Sequence, residues 1–330
     1  MANFLWMHPW DLEGWEPDEF LDHIETAGLN EVRLALAYHG GRLLLPRNRR
    51  HLVYEQHESA VYFEPDRGLY ARLQPARGPH REVVSAFLEA AARRRFPVRA
   101  WLVLCHNDGL GRQHPDACIR NYRNEAYSYA LCPAQPDVQQ YILALARDVS
   151  RLPGVVGLDL EALSFMGYEH NSLHDKRAVA IDPRLNVCHC SVCRGQGDRA
   201  AIISHLLDQI GGATKLPLDL RYTDDENFFG GKSHLPLPLL QGRVASITRT
   251  WFGKPSHQID LPSNAPVPSN AGFQFHPPDT KTLDELAESY RRCASASGIG
   301  FYCYGLASNE HWSWLTRVLQ GPLANVELPS

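Results

Sequence analysis

Three cysteines lie within six residues of one another, and their spacing predicts a metal site. Cys188, Cys190 and Cys193 form a C-x-C-x-x-C pattern in a segment that is typical of a loop. Thiolates at this spacing converge readily on one tetrahedral Zn²⁺, at about 2.3 Å each, whereas a disulfide inside so short a loop would be strained. A closed zinc site needs a fourth ligand. The candidates are Cys105, Cys118, Cys132 and His189.

Two carboxylates provide a second group that could do chemistry. Asp159 and Glu161 alternate with leucines, as on a strand that turns one face to the interior. A glycosidase needs two carboxyl groups, an acid and a nucleophile or base, about 5 Å apart for retention and roughly 6.5–9.5 Å apart for inversion. We predict that Glu161 is the acid. Its partner is expected to be Asp225 or one of its neighbours Asp224 and Glu226, with Asp159 as a further candidate.

Asp159 has a second interpretation. A buried charge is costly unless it is paired, so Asp159 could instead hold neighbouring arginine or histidine side chains in an interior network. The residue type and its spacing leave both interpretations open.

Short apolar runs alternate with amphipathic helical stretches along the chain, and together they predict the elements that position these groups. Eight strands are predicted, at residues 4–7, 31–38, 98–104, 155–161, 216–222, 244–249, 271–275 and 299–304. Helices are predicted between them, among others at 17–24, 81–95, 137–151, 200–210 and 283–295. This order predicts a (β/α)₈ TIM barrel of the α/β class, with residues 1–330 as a single domain and a zinc-binding loop insertion around 185–195. An open doubly wound sheet is disfavoured because Pro9-Trp10-Asp11, and not a glycine-rich loop, follows the first strand.

Polar and aromatic side chains follow nearly every predicted strand. Active sites of such barrels lie at the carboxyl ends of the strands. We therefore predict that this ring of side chains binds substrate, and a sugar suits it, because hydroxyls need hydrogen-bond partners and C–H faces stack on aromatic rings. The predicted substrate-binding residues are His8, Trp10, His39, His106, Asn107, Asp224, Glu226, Arg249, Trp251, His276 and Tyr302.

Composition excludes several other classes of partner. The net charge is −4 among 330 residues, so no basic surface for nucleic acid is indicated. No apolar run approaches the roughly 20 residues of a membrane-spanning helix, and the first residues lack the pattern of a secretion signal. The thiol-rich composition agrees with a reducing compartment, and we expect a cytoplasmic protein without a membrane or nucleic-acid partner.

Three segments, at 124–138, 155–161 and 188–194, together resemble the middle of family-42 β-galactosidases and related clan-A barrels. In that family a cysteine ahead of the helix before the fourth strand joins a later C-x-C-x-x-C to bind zinc, and the acid/base glutamate ends the fourth strand. The resemblance implies that Cys132, Cys188, Cys190 and Cys193 bind a structural zinc and that Glu161 is the acid/base. It also implies a homo-oligomer.

The chain departs from the family pattern at both catalytic positions. Leu160 precedes Glu161 where the family has Asn, and Gln274-Phe275-His276 stands where the family has its nucleophile glutamate. The Asp-x-Glu of the fourth strand also resembles chitinase-type barrels, in which the substrate's acetamido group attacks. Both resemblances keep Glu161 as the acid.

The sequence thus predicts a glycoside hydrolase that acts on a small saccharide or glycoside. Two alternatives remain. One is a metal-dependent barrel isomerase or hydrolase that uses strand-end histidines, for which the candidates are His8, His39, His106 and His276. The other is a carbohydrate-binding barrel without turnover.

Overall fold

The computed structural model describes residues 1–170, 176, 178–195, 198–223, 237–251 and 266–321. The strands are, in chain order, β1 (Ala2–Met7), β2 (Glu31–Tyr38), β3 (Gly41–Leu44), β4 (Val53–Gln56), β5 (Ala60–Val61), β6 (Val98–Val103), β7 (Cys118–Arg120), β8 (Ala126–Leu131), β9 (Val155–Glu161), β10 (Leu218–Thr223), β11 (Ser246–Thr250), β12 (Ser269–Gln274) and β13 (Gly298–Tyr302). The α-helices are α1 (Pro17–Thr26), α2 (Arg81–Arg94), α3 (Asp108–Gln113), α4 (Pro136–Val149), α5 (Ser191–Gly195), α6 (Arg199–Thr214), α7 (Leu283–Arg292) and α8 (Asn309–Gln320).

Eight of the strands form a closed parallel barrel. Their order around it is β1, β2, β6, β9, β10, β11, β12 and β13. The sheet closes because β1 pairs with β2, through Phe4 and Glu31, and also with β13, through Ala2 and Gly298. The prediction of a (β/α)₈ barrel is therefore confirmed, and the eight predicted strands match the barrel strands to within about two residues.

The helices cover the barrel because each has one apolar face. In α7, Leu286 and Tyr290 are four residues apart and both are buried, and Thr282 caps the helix by accepting a hydrogen bond from the backbone N–H of Glu285 at 3.2 Å. In α1, Phe20, Leu21 and Ile24 face the barrel and are buried. Burial of one such apolar side chain stabilises the fold by about 1.5–3 kcal/mol. No helix among the described residues is both long and apolar enough to cross a bilayer.

Two glycines make room inside the barrel for a large aromatic side chain. A Cβ atom at Gly272 of β12 or Gly300 of β13 would lie 2.6 Å from the indole of Trp6. Side chains at these positions would collide with Trp6, which is fully buried. The small residues of two neighbouring strands thus allow the indole of β1 to reach across the barrel interior.

Candidate active site

The inward-facing residues of β9 lie at two levels of the barrel. Asp159 is fully buried in the interior, and Glu161, at the carboxyl end of the strand, has a side chain that is 25% exposed. The alternation predicted from the sequence is therefore present, and both carboxylates face inward. Their surroundings differ, so each is described separately.

Asp159 belongs to a closed polar network. Its Oδ2 accepts a hydrogen bond from Trp6 Nε1 at 2.7 Å, and Arg33 Nη1 lies 3.5 Å from the same oxygen. Arg33 also contacts Asp219 of β10 at 3.1 Å, and Thr248 donates to that carboxylate at 2.7 Å. Burial raises the pKa of Asp159 to about 6, against the lowering effect of Arg33. This position fits the interior-network interpretation and not a catalytic role.

Glu161 stands at the mouth of the barrel with one of its oxygens held in place. Trp101 Nε1 donates to Glu161 Oε2 at 2.5 Å, and Arg221 Nη1 lies 3.1 Å from the same oxygen. Both of these contacts use Oε2. One indole hydrogen bond and one ion pair therefore fix the orientation of the carboxylate, while the partly exposed side chain can present Oε1 to a ligand in the mouth.

Arg221 is buried between aromatic rings. Its guanidinium carbon lies 5.0 Å from the ring centroids of Trp6 and Trp101 and 5.4 Å from that of Tyr302. Burial alone would lower the pKa of Arg221, but the carboxylates of Glu161 and Asp159 raise it. Side chains of three other strands thus hold a charged guanidinium against Glu161.

Histidines form a stacked group beside this carboxylate. His39 stacks on His106 with ring centroids 4.2 Å apart, and His106 Nδ1 lies 3.1 Å from His170 Nε2. Burial lowers the pKa of His106 well below its ordinary value and that of His170 to about 4, and the neighbouring histidines contribute to both shifts. His39 and His106 were predicted at the mouth, whereas His170 was not.

Some of the remaining predicted binding residues are partly exposed, and others are buried. Tyr302 and Arg249 are partly exposed, and the Arg249 guanidinium lies 5.0 Å from the ring centroid of Trp251. His276 is buried, with Nδ1 2.8 Å from the carbonyl oxygen of Pro277. Asn107 is also buried, and its side chain caps α3 by accepting the N–H of Leu110 at 2.9 Å.

Three of the predicted binding residues are enclosed by protein, and their contact with substrate stays a prediction. Trp10 is fully buried, stacked between His8 at 4.6 Å and Tyr54 at 4.4 Å, so both ring faces are covered. His8 has no exposed surface, and its ring contacts those of Trp10, Tyr38 and Trp101. Trp251 is 1% exposed. The short helical turn Pro9–Leu12 after β1 directs Trp10 against the segment that follows β2, and not into the mouth. Asp224, Asp225 and Glu226 lie outside the described residues.

The four predicted zinc ligands come together in one buried cluster. Cys132 Sγ lies 3.7, 3.8 and 3.5 Å from the sulfurs of Cys188, Cys190 and Cys193. Four sulfurs about 2.3 Å from a tetrahedral zinc would be about 3.8 Å apart. All four thiols are free of disulfides and buried. The donor set and its spacing therefore fit a metal ion, and Cys118 and Cys105 are not part of this cluster.

Sequence reasoning missed the residues that hold the carboxylates, although a signal was present. Leu218-Asp219-Leu220-Arg221 on β10 repeats the alternation of Leu158-Asp159-Leu160-Glu161 on β9, and the two strands pair in register, with Asp219 opposite Asp159. A basic residue at the position matching Glu161 therefore indicated its ion-pair partner. No comparable pattern pointed to Trp6, Trp101 or Arg33.

Comparison with known proteins gives structural likeness alone. No family model matches the sequence, and no curated protein matches it. Among solved structures, α-L-fucosidase isoenzyme 2 from Paenibacillus thiaminolyticus is 11% identical at a TM-score of 0.57, over 97% of this chain and 49% of that one. The PgaB (BpsB) glycoside hydrolase domain from Bordetella bronchiseptica is 14% identical at a TM-score of 0.57, over 97% and 99%. The β-galactosidase of the psychrophilic Marinomonas ef1 is 9% identical at a TM-score of 0.55, over 97% and 59%.

These likenesses establish a barrel fold that glycoside hydrolases also have. The chain spans about half the length of the fucosidase and almost all of the PgaB domain. Identities this low show the fold and leave the chemistry to be argued from the site. The narrower resemblance to family 42 stays a prediction.

Proposed function

We propose that the protein is a glycoside hydrolase of a small saccharide or glycoside, with Glu161 as a catalytic carboxylate. The observation that carries the proposal is the fixed Oε2 of Glu161, which accepts from Trp101 and faces Arg221 at the open end of the barrel. Catalysis at a sugar carbon needs a carboxylate whose direction is set before the substrate arrives. The solved structures with a similar fold include a fucosidase and a glycoside hydrolase domain, and they support the same class.

The contacts of Glu161 refine its role. The sequence predicts Glu161 as the acid, but in the structure its Oε2 accepts from Trp101 and faces the guanidinium of Arg221, which are the contacts of an acceptor oxygen. We therefore propose that Glu161 works first as base or nucleophile. The proton for the leaving oxygen would then come from Asp225, the partner carboxylate predicted from the sequence, which follows β10 by two positions.

The mouth supplies groups that suit a sugar. Tyr302 and His39 are partly exposed beside Glu161, as is Arg249 at the end of β11. Hydroxyl and imidazole groups can bind sugar hydroxyls, and a tyrosine ring can pack against a C–H face. No nucleic-acid or membrane partner is proposed.

We further propose that the cysteine cluster holds a structural zinc ion. It would join Cys132, after β8, to the segment that contains Cys188, Cys190 and α5, in the connection between β9 and β10. A bound ion would supply a cross-link in place of a disulfide. None of the eight cysteines forms a disulfide, which supports a reducing compartment, in agreement with the expected cytoplasmic location.

The proposed activity can be tested with a panel of α- and β-linked nitrophenyl glycosides. Wild-type protein is expected to cleave at least one of them, and Asp225→Asn is expected to lose most of that cleavage. Asp208→Asn is the matched control, since it removes a carboxylate of the same type that is exposed on α6. Failure to cleave any glycoside would favour a carbohydrate-binding barrel, and equal activity of both variants and wild type would remove Asp225 from the mechanism.

A further inference from the structure

A second group of metal-binding side chains lies where the barrel closes. His8 follows β1 and Cys303 follows β13, and these two strands pair directly. Asp11 lies in the helical turn after β1. All three side chains are buried, with exposures of 0%, 0% and 2% respectively for His8, Cys303 and Asp11.

The donor atoms of this group converge on one point. Cys303 Sγ lies 3.3 Å from His8 Nδ1, and Asp11 Oδ2 lies 3.9 Å from the same nitrogen. One donor atom from each residue lies within 4.8 Å of the other two. Among the described residues, only one other group meets this condition, and it is the cysteine cluster.

The geometry distinguishes a metal site from a nucleophilic relay. In a cysteine-histidine-aspartate relay the nucleophile and the acid contact opposite nitrogens of the imidazole ring. Here both lie beside Nδ1, so a proton cannot pass through the ring from one to the other. Three donors around one point are instead the arrangement that a cation requires.

We propose that His8, Asp11 and Cys303 bind a divalent transition-metal ion of the zinc type. Imidazole nitrogen, carboxylate oxygen and thiolate sulfur form a borderline donor set that suits Zn²⁺. From their bond lengths, the ligands of a tetrahedral zinc are about 3.4–3.6 Å apart, so the observed sulfur–nitrogen distance of 3.3 Å would open slightly and the oxygen–nitrogen distance of 3.9 Å would close slightly. Two negative ligands also balance a divalent charge in a fully buried place, where unpaired charge is costly.

The ion would cross-link the two strands at which the barrel closes. It would tie the end of β1 to the end of β13 and to the turn that carries Trp10. Three protein ligands leave the fourth position of a tetrahedral ion to a non-protein ligand. Because the three ligands are buried, the proposed role is to cross-link the chain, and it does not depend on the proposed glycosidase activity.

The site can be tested by metal titration of the full chain. After removal of metal with a chelator, Zn²⁺ or Co²⁺ is added and the bound equivalents per chain are measured. We expect two equivalents in wild type, one in Cys303→Ser and one in Cys190→Ser, and a cobalt spectrum of Cys303→Ser that keeps the bands of a four-thiolate site. Cys293→Ser is the matched control, because Cys293 is a buried thiol outside both groups, and it should bind two.

Asp11→Asn serves as a second variant if Cys303→Ser does not fold. An asparagine oxygen can still accept the backbone N–H of His8, which Asp11 Oδ2 now accepts at 2.8 Å, while the negative ligand is lost. We expect the second equivalent to bind at least about tenfold more weakly. One equivalent in wild type, or two equivalents of unchanged affinity in both Cys303→Ser and Asp11→Asn, would overturn the proposal.

Discussion

Asp159 and Glu161 occupy one strand, two residues apart, and each has the same two kinds of partner. Asp159 accepts an indole N–H from Trp6 and faces Arg33, and Glu161 accepts one from Trp101 and faces Arg221. They differ in depth, because the Asp159 side chain has no exposed surface and that of Glu161 is 25% exposed. On the proposed function, this difference in depth separates a carboxylate that serves the core from one that meets a ligand.

The two arginines differ in the same way. Arg33 is shared by Asp159, Asp219 and Glu31, so it balances several buried charges at once. Arg221 faces Glu161 at the mouth, where water and ligand can reach the carboxylate. We therefore expect the Arg33–Asp159 pair to contribute to stability and the Arg221–Glu161 pair to orient the glutamate. Substitutions at matched positions should separate the two roles.

The largest effect is expected at Arg33. Arg33→Met would leave the carboxylates of Asp159 and Asp219 buried without their cation, and loss of one partner of a buried pair typically costs about 3–5 kcal/mol. Urea unfolding should show this loss in the free energy of unfolding. A midpoint equal to that of wild type would show that Arg33 does not hold the interior network.

Arg221→Met is the matched change at the upper level. Its cost in stability should be smaller, because Glu161 is partly exposed, but kcat/KM should fall, because Oε2 of Glu161 loses the guanidinium that faces it. An unchanged kcat/KM would count against Arg221 as a group that orients Glu161.

A smaller effect is expected when the indole of Trp101 or Trp6 is replaced. A hydrogen bond to a charged group contributes about 1.5–3 kcal/mol. Trp101→Phe should therefore lower kcat/KM by about 10- to 100-fold, because Glu161 Oε2 loses a donor. Trp6→Phe should lower the free energy of unfolding by a similar energy and leave kcat/KM nearly unchanged. Equal loss of activity in the two variants would contradict the division between levels.

The smallest effect concerns the pH dependence of stability. Burial raises the pKa of Asp159 from 3.8 to about 6, so between these values the folded chain holds a proton that the unfolded chain has released. The contribution of Asp159 to stability therefore falls as pH rises from about 4 to about 6 and is constant above. The difference between wild type and Asp159→Asn in chemical unfolding should show this slope. An unchanged difference across that range would contradict it.

The sequence predicted the barrel and the direction of both acids, because periodicity and strand alternation are local properties of the chain. It could not separate Asp159 from Glu161. Trp6 and Arg33 lie more than 100 residues away from Asp159 in the sequence, and only closure of the barrel brings them to its carboxylate.

The predictions of the metal ligands and of the aromatic binding residues were limited in the same way, because contacts between distant parts of the chain could not be predicted. The C-x-C-x-x-C spacing indicated three ligands, while Cys132 entered through a family resemblance and is brought to them by the fold. Trp10 follows a strand end and was expected at the mouth. The rings of His8 and Tyr54 cover it, and neither contact could be predicted from the position of Trp10 in the sequence.

The central claim is that the upper carboxylate of β9 is catalytic and the lower one is structural. The most direct test compares kcat/KM of Glu161→Gln and Asp159→Asn on the best glycoside of the panel, with circular dichroism to verify that both variants fold. We predict a loss of about 10²–10⁴-fold for Glu161→Gln and a change of less than about tenfold for Asp159→Asn. Full activity of Glu161→Gln, or an equal loss in folded Asp159→Asn, would contradict the account.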